Sequence, residues 1–249
     1  MAGEASPGAI GDPGRAALVT WLVVELCVAG LLRIHVTLAW IGDLGSALVA
    51  VLFLYAPVVV AWRRREDLDD YGFHASPIGK GLATAGAAMA VIFPLFAVGF
   101  IAFYEVACQS SWLVHALPAG TCGGYGGLGA IHAPAVSWSF AEFCVVQLVV
   151  VALPEELFFR GFLLKLLEDR FPPKRRVLGG GIGLALVLSS AAFALIHLPK
   201  GADPRDLATF FPGLLFGWMR SATGSILAGT IAHGGSNILV RLLSLVILR

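Results

Sequence analysis

The chain has 249 residues, of which 58% are hydrophobic and 13% charged, and its mean hydropathy is +0.85. An ordinary soluble domain has about 45–50% apolar and about 25% charged residues. This composition therefore argues against a soluble enzyme and against a disordered chain. The net charge of +1 excludes a nucleic-acid-binding protein that works by bulk positive charge. We predict an all-α, polytopic transmembrane helical bundle with about seven spans, within a range of roughly six to eight.

A polar tail precedes the predicted spans. Residues 1–15 are rich in Gly, Pro and Ala and are predicted to form a disordered tail. The predicted spans are 16–32, 45–62, 81–104, 138–153 with an amphipathic continuation to 169, 177–198, the short run 207–219, and 226–248. We divide the chain into the tail, an N-terminal part with transmembrane helices and an outer loop (16–137), and a C-terminal core (138–245).

The distribution of Lys and Arg predicts the orientation. These residues are concentrated in the connections at 63–80 and 164–176, and the long connection at 105–137 has none. Basic connections stay in the cytoplasm, so the N-terminus is predicted to be cytoplasmic and 105–137 to lie outside. Cys108 and Cys122 would form a disulfide if that side is oxidising, and the sequence leaves this open. Only 4 of the 17 basic residues are Lys, which indicates a bacterial gene and hence a bacterial plasma membrane.

The first of three motifs with polar side chains in apolar segments is EExxxR. Ionisable groups are costly inside a membrane, so each one requires a reason. Glu156 and Arg160 are four residues apart, share a helix face and can pair. Glu155 is rotated about 100° from that face and is left free of the pair. Taken alone, the motif is equally consistent with an ion pair that only fixes the helix register.

The other two motifs have the same four-residue spacing. Phe193 and His197 form FxxxH, and His233 and Asn237 form HxxxN with two glycines between them. Each motif alone is consistent with helix packing or with a position near the membrane surface. Together they place a free carboxylate, two imidazoles and an amide on three apolar segments, which indicates acid–base chemistry.

These groups suit hydrolysis of an amide bond. A buried carboxylate beside an imidazole can activate water, and a second imidazole with an amide can stabilise an oxyanion. Glu155, His197 and His233 also resemble a hydrolytic zinc set. The sequence has no HExxH motif, so we favour metal-free catalysis by the glutamate and expect no cofactor. If a metal is bound, those three residues are the expected ligands.

The order, spacing and flanking residues of the motifs resemble the CPBP family of intramembrane proteases, which includes the Rce1-type CaaX prenyl endopeptidases and the bacterial Abi-like proteins. The resemblance covers about residues 138–245, which would form the protease core. It implies catalytic roles for Glu155, His197, His233 and Asn237, and supporting roles for Glu156, Arg160 and Phe193. Glu155 would activate water with the assistance of His197. His233 and Asn237 would form the oxyanion site.

The resemblance implies an intramembrane endopeptidase that cleaves a membrane-associated protein. The substrate would be a lipidated CaaX-type protein or a protein with a C-terminal membrane anchor, and the partners would be that substrate and the lipid bilayer. The alternative is a non-catalytic immunity or scaffold protein in which the motifs serve only helix packing. The sequence leaves open the membrane face of the site, the need for prenylation and the oligomeric state.

Overall fold

The computed structural model describes residues 11–38, 42–134, 137–201 and 203–248 and shows a helical bundle, which confirms the predicted fold class. Four helices are long and apolar enough to cross a membrane, in agreement with an integral membrane protein. They are α1 (Pro13–Leu31), α2 (Leu44–Arg64), α3 (Ile78–Gln109) and, at the C-terminus, Leu227–Ile247. A short hairpin, β1 (Thr37–Leu38) and β2 (Gly42–Asp43), connects α1 to α2. The count of seven spans stays a prediction.

The C-terminal half contains a long irregular helix, which we call the central helix (138–170). It consists of α5 (Trp138–Val146), π1 (Gln147–Ala152), α6 (Leu153–Glu156), π2 (Leu157–Leu163) and α7 (Leu164–Arg170). A separate single turn, α4 (Leu113–Ala116), precedes it in the chain. The two π-helical segments flank the glutamate pair, a position typical of functional sites. The remaining α-helices of the described residues are α8 (Leu184–Leu195), α9 (Phe210–Thr223) and α10 (Leu227–Ile247). Short 3-10 helices lie in the connections, at Leu68–Tyr71, Leu128–Ala130, Leu198–Lys200 and Pro204–Thr209.

The first helix begins inside the predicted tail. Helix α1 starts at Pro13 because the Asp12 carboxylate caps it, accepting a hydrogen bond from the Arg15 backbone nitrogen at 2.6 Å. The prediction of a disordered tail over 1–15 is therefore wrong for residues 13–15. Residues 1–10 lie outside the described part of the chain.

The start of the fifth predicted span is also wrong. Residues 175–182 form an antiparallel hairpin, β3 (Arg175–Val177) and β4 (Gly180–Ile182). Gly179, at the turn, has a φ of +86°, which glycine adopts at little cost. The helix of this span therefore begins at Leu184.

The connections gather at two ends of the bundle. We call the first the disulfide end, because it contains the Cys108–Cys122 disulfide. Two hydrogen bonds also lie there, from Arg205 to Thr121 Oγ1 (3.2 Å) and from His132 N to Val246 O (3.2 Å). Three hydrogen bonds define the opposite end, the basic end: Lys80 Nζ to Ala222 O (2.5 Å), Trp218 Nε1 to Val177 O (2.8 Å), and Ile226 N to Gly72 O (3.1 Å). The disulfide that the sequence left open is thus present.

Buried phenylalanines hold the central helix against its neighbours. Phe158 and Phe159 are fully buried, and their ring centroids lie 5.3 Å and 5.6 Å from that of Phe53 in α2. On the other side, Phe159 contacts Phe193 of α8 at 5.1 Å. Such pairs contribute about 0.5–1.5 kcal/mol each beyond burial of their surface. The aromatic contacts therefore fix the position of the EExxxR motif between α2 and α8.

Candidate active site

The second glutamate of EExxxR belongs to a buried ion cluster. Arg160 Nη1 lies 3.0 Å from Glu156 Oε1, and the two side chains are 1% and 0% exposed. Nδ1 of His233, on α10, lies 2.9 Å from the same oxygen. Because a carboxylate only accepts hydrogen bonds, Nδ1 is the donor. The pairing predicted for Glu156 and Arg160 is confirmed, and the cluster also includes His233, a link that the motif spacing did not indicate.

Aromatic rings enclose this cluster. The Arg160 guanidinium lies 3.9 Å from the centroid of the Phe193 ring and 5.3 Å from that of Phe216 in α9. The Phe216 ring in turn stacks on His233 with centroids 5.2 Å apart. Cation–π contacts of desolvated guanidinium groups contribute about 2 kcal/mol. Phe193, Phe216 and the glutamate thus hold the guanidinium from several sides.

Helix α10 approaches the cluster at a glycine. A Cβ atom at Gly229 would lie 2.6 Å from Glu156 Oε2, closer than a real Cβ contact. A side chain at this position would therefore displace either the carboxylate or the helix. The close approach of α10 places His233, one helical turn further on, against Glu156.

The Gly229→Ala substitution is expected to destabilise the protein by about 1–3 kcal/mol, because the added methyl group overpacks a rigid site. The matched control is Gly86→Ala in α3, where an added Cβ meets nothing within 4 Å. Thermal unfolding of the two purified variants in detergent measures the difference. Equal melting temperatures for Gly229→Ala and the wild type would contradict the close contact.

Glu155, the first glutamate, is oriented differently. Its carboxylate is partly accessible, with the side chain 14% exposed, and Oε2 lies 3.7 Å from Nε2 of His233. Among the described residues, this oxygen has no hydrogen-bond partner. The two neighbouring glutamates therefore differ, since the buried Glu156 carboxylate contacts Arg160 and His233 through Oε1, whereas the Glu155 carboxylate is partly exposed and has only the longer contact with His233.

His197 and Asn237 are each held by one hydrogen bond. His197 Nδ1 lies 2.7 Å from the Phe193 carbonyl, so Nδ1 is the donor and Nε2 carries the lone pair in the neutral ring. Asn237 Nδ2 donates to Oε1 of Gln147, in π1, at 2.8 Å. The Phe193 ring contacts both histidines. Its centroid lies 4.9 Å from that of His197 and 5.6 Å from that of His233.

One cavity of about 340 Å³ collects the predicted catalytic residues. Its lining includes Glu155, His197, His233 and Asn237, together with Gln147, Lys200, Thr209 and Ser236. A second, more apolar cavity lies between α1, α2 and the central helix and shares Val151, Glu155, His197 and Lys200 with the first. Glu156 and Arg160 line neither cavity and lie behind the site.

Gln147, Phe216 and Gly229 are among the residues of the site that were missed in the sequence. Gln147 is the one polar residue in the apolar run VVQLVVV, so its cost inside a membrane was an available signal. Phe216 and Gly229 gave no comparable signal, because phenylalanine and glycine are common throughout this chain. Their contributions depend on contacts between helices that are distant in sequence.

The predicted zinc ligands do not form a metal-binding group in this structure. Among residues 11–38, 42–134, 137–201 and 203–248, no three His, Cys, Asp or Glu side chains are arranged to hold a metal ion. His233 Nδ1 contacts Glu156, and Nε2 is left on the side of Glu155. The alternative set of Glu155, His197 and His233 stays a prediction, and no step below involves a metal.

Comparison with known families agrees with this arrangement. Residues 137–239 match the family model described as type II CAAX prenyl endopeptidase Rce1-like. This segment is an Rce1-like domain. It includes all three motifs and extends from the start of the central helix to the middle of α10, which confirms the resemblance to CAAX-type intramembrane proteases. Neither the curated proteins nor the solved structures include a match to the chain.

Proposed function

We propose that the Rce1-like domain hydrolyses a peptide bond of a membrane-associated protein with a water molecule that Glu155 activates. The observation that carries this proposal is the position of Glu155. Its carboxylate lines the same cavity as His197, His233 and Asn237. The carboxylate is partly exposed, unlike that of Glu156, and can accept a proton from a water molecule in the cavity.

Glu156 is unsuited to this role. Its carboxylate already binds Arg160 and His233, and its side chain is fully buried. Protonating it would weaken both interactions. The two glutamates therefore have different proposed roles: Glu155 activates water, and Glu156 positions His233.

His233 is proposed to stabilise the oxyanion. With Nδ1 donating to Glu156, Nε2 carries a second proton only in the imidazolium form. In that form the formal charges of Glu155, Glu156, Arg160 and His233 sum to zero. An imidazolium that donates from Nε2 is a strong partner for the charge that develops on a carbonyl oxygen.

Asn237 and His197 complete the site. The Asn237 amide has two N–H bonds, of which one is used by Gln147, so the other can donate to the same oxyanion. The lone pair on Nε2 of His197 can accept a hydrogen bond from the attacking water. These contacts would hold the water and the carbonyl group in an orientation suited to attack.

The proposed reaction balances without a covalent enzyme intermediate. The water oxygen bonds to the carbonyl carbon while Glu155 takes one of its protons. The tetrahedral intermediate collapses, the C–N bond breaks, and the proton moves from Glu155 to the leaving nitrogen. The products are a new carboxylic acid and a new amine, and the acid then releases its proton to solvent and becomes a carboxylate.

The two adjoining cavities suit an extended peptide. They meet at Val151, Glu155 and His197, so a chain that lies across both would place one peptide bond beside the carboxylate. Intramembrane cleavage of a lipidated CaaX-type protein and cleavage of a C-terminal membrane anchor both satisfy this geometry. We propose such membrane-associated proteins as the substrate class.

The test is a comparison of peptide termini. Purified chain is added to detergent-solubilised membranes from cells that lack it, and new termini are mapped by mass spectrometry. We expect them with the wild type and with His132→Gln, whose histidine lies exposed in the outer connection. We expect strongly reduced cleavage with His197→Gln. Equal cleavage by His197→Gln, or no new termini with the wild type, would contradict the proposal.

A further inference from the structure

The positions of the charged residues distinguish the two ends of the bundle. The disulfide end has few Lys and Arg residues, whereas most of them lie at or near the basic end. Those at or near the basic end are Arg15, Arg63, Arg64, Arg65, Lys80, Lys165, Arg170, Lys174, Arg175, Arg176 and Arg220. Short basic connections stay in the cytoplasm. The charge distribution therefore assigns the basic end to the cytoplasm.

The disulfide supports the same orientation independently. Cys108 at the end of α3 is bonded to Cys122 in the connection 110–134. Disulfides persist in oxidising compartments such as the periplasm or the cell exterior and are rare in the cytosol. A bonded pair at the end that is poor in cations thus agrees with an extracytoplasmic position of that end.

Both cavities extend toward the disulfide end. The first is lined by Lys200 and Thr209, which lie in the turns between α8 and α9. Arg205, in the same connection, donates to Thr121 of the disulfide loop. The second cavity is lined by Asp43 and Ser46, at the start of α2.

The opposite side of the site is closed. Glu156 and Arg160 are fully buried and line neither cavity. Nearer the basic end, Phe162 and Tyr71 are also buried, with ring centroids 5.6 Å apart. A substrate approaching from the cytoplasm would meet this packed layer before it reached Glu155.

We infer that the active site opens to the extracytoplasmic side of the membrane and that its substrates are exported, membrane-anchored proteins cleaved near the outer leaflet. This substrate class rests on the proposed function. The orientation of the cavity does not, because it follows from lining residues, charge and the disulfide. A prenylated tail in the cytosol would face the closed, basic end.

The experiment measures which side of the membrane reaches the cavity. In a background with Cys27→Ala and Cys144→Ala, Thr209→Cys places a thiol in the cavity lining. A membrane-impermeant maleimide is applied to right-side-out and to inside-out vesicles from a bacterial host. Ser137→Cys, exposed in the outer connection, and Leu178→Cys, 86% exposed at the β3–β4 turn, report the two faces.

The Thr209→Cys variant is expected to react with the maleimide in right-side-out vesicles and not in inside-out vesicles, as Ser137→Cys should. The Leu178→Cys variant is expected to react only in inside-out vesicles. Reaction of Thr209→Cys together with Leu178→Cys would overturn the inference. Reaction from neither side while both controls react would also overturn it. A failure of the proposed function would look different, because the cavity would be labelled from outside while no new peptide termini form.

Discussion

Turnover is expected to fall about 10²–10⁴-fold when Glu155 is replaced by glutamine, since general-base catalysis contributes a factor of that size. Glutamine has nearly the same shape but cannot take a proton from water. Glu155 stands outside the Glu156–Arg160 pair, so the variant is expected to fold and to bind substrate normally. The loss should therefore appear in kcat and leave KM nearly unchanged.

The measurement uses a peptide that spans a cleavage site found by mapping termini, with the purified variants in mixed micelles. Glu142→Gln is the matched control, because this carboxylate is exposed on α5 and does not line either cavity. Wild-type kcat in Glu155→Gln would exclude Glu155 as the base. It would favour the scaffold hypothesis, in which the motifs serve only helix packing.

The Arg160→Met variant is expected to lose about 3–5 kcal/mol of stability, because removing one partner of a buried ion pair leaves an uncompensated charge. Arg160 is 1% exposed and Glu156 is fully buried, so water cannot replace the lost interaction. The variant also loses the contact of the guanidinium with the Phe193 ring. We expect little folded protein to accumulate in the membrane.

Thermal unfolding in detergent and the amount of folded protein in membranes measure this effect. Arg241→Met is the matched control, since Arg241 is exposed on α10. The double variant Glu156→Leu/Arg160→Met removes both charges and should recover part of the stability. It should remain inactive, because His233 loses the acceptor that orients it. A single Arg160→Met variant as stable as the wild type would refute the structural role of the pair.

Spacing within a motif was enough to predict local contacts. The four-residue interval between Glu156 and Arg160 predicts a shared helix face, and the 3.0 Å contact confirms it. The hydrogen bonds from His233 to Glu156 and from Asn237 to Gln147 could not be predicted in the same way. They join residues 77 and 90 positions apart, and their geometry depends on how α10 packs against the central helix.

The error at the fifth predicted span had a consequence for depth in the membrane. A span that began at residue 177 would place His197 near the outer surface, far from His233. Helix α8 instead begins at Leu184, because the glycine-rich segment before it forms a hairpin. Seven residues of helix correspond to about 10 Å, so the predicted helix was too long by about that length before His197. A hydrophobicity pattern does not distinguish an apolar hairpin from the first turns of an apolar helix.

The enclosure of the ion cluster determines how the site responds to dissolved electrolyte. Mobile ions screen charges that water reaches, with a Debye length of about 8 Å at physiological ionic strength. The side chains of Glu156, Arg160 and His233 are 0%, 1% and 7% exposed, so counterions cannot approach them. Changes in ionic strength should therefore leave the cluster intact and act at the exposed Lys200 beside both cavities. A change of the turnover rate with salt concentration would then report on substrate entry past Lys200. It would not report on the chemical step at Glu155.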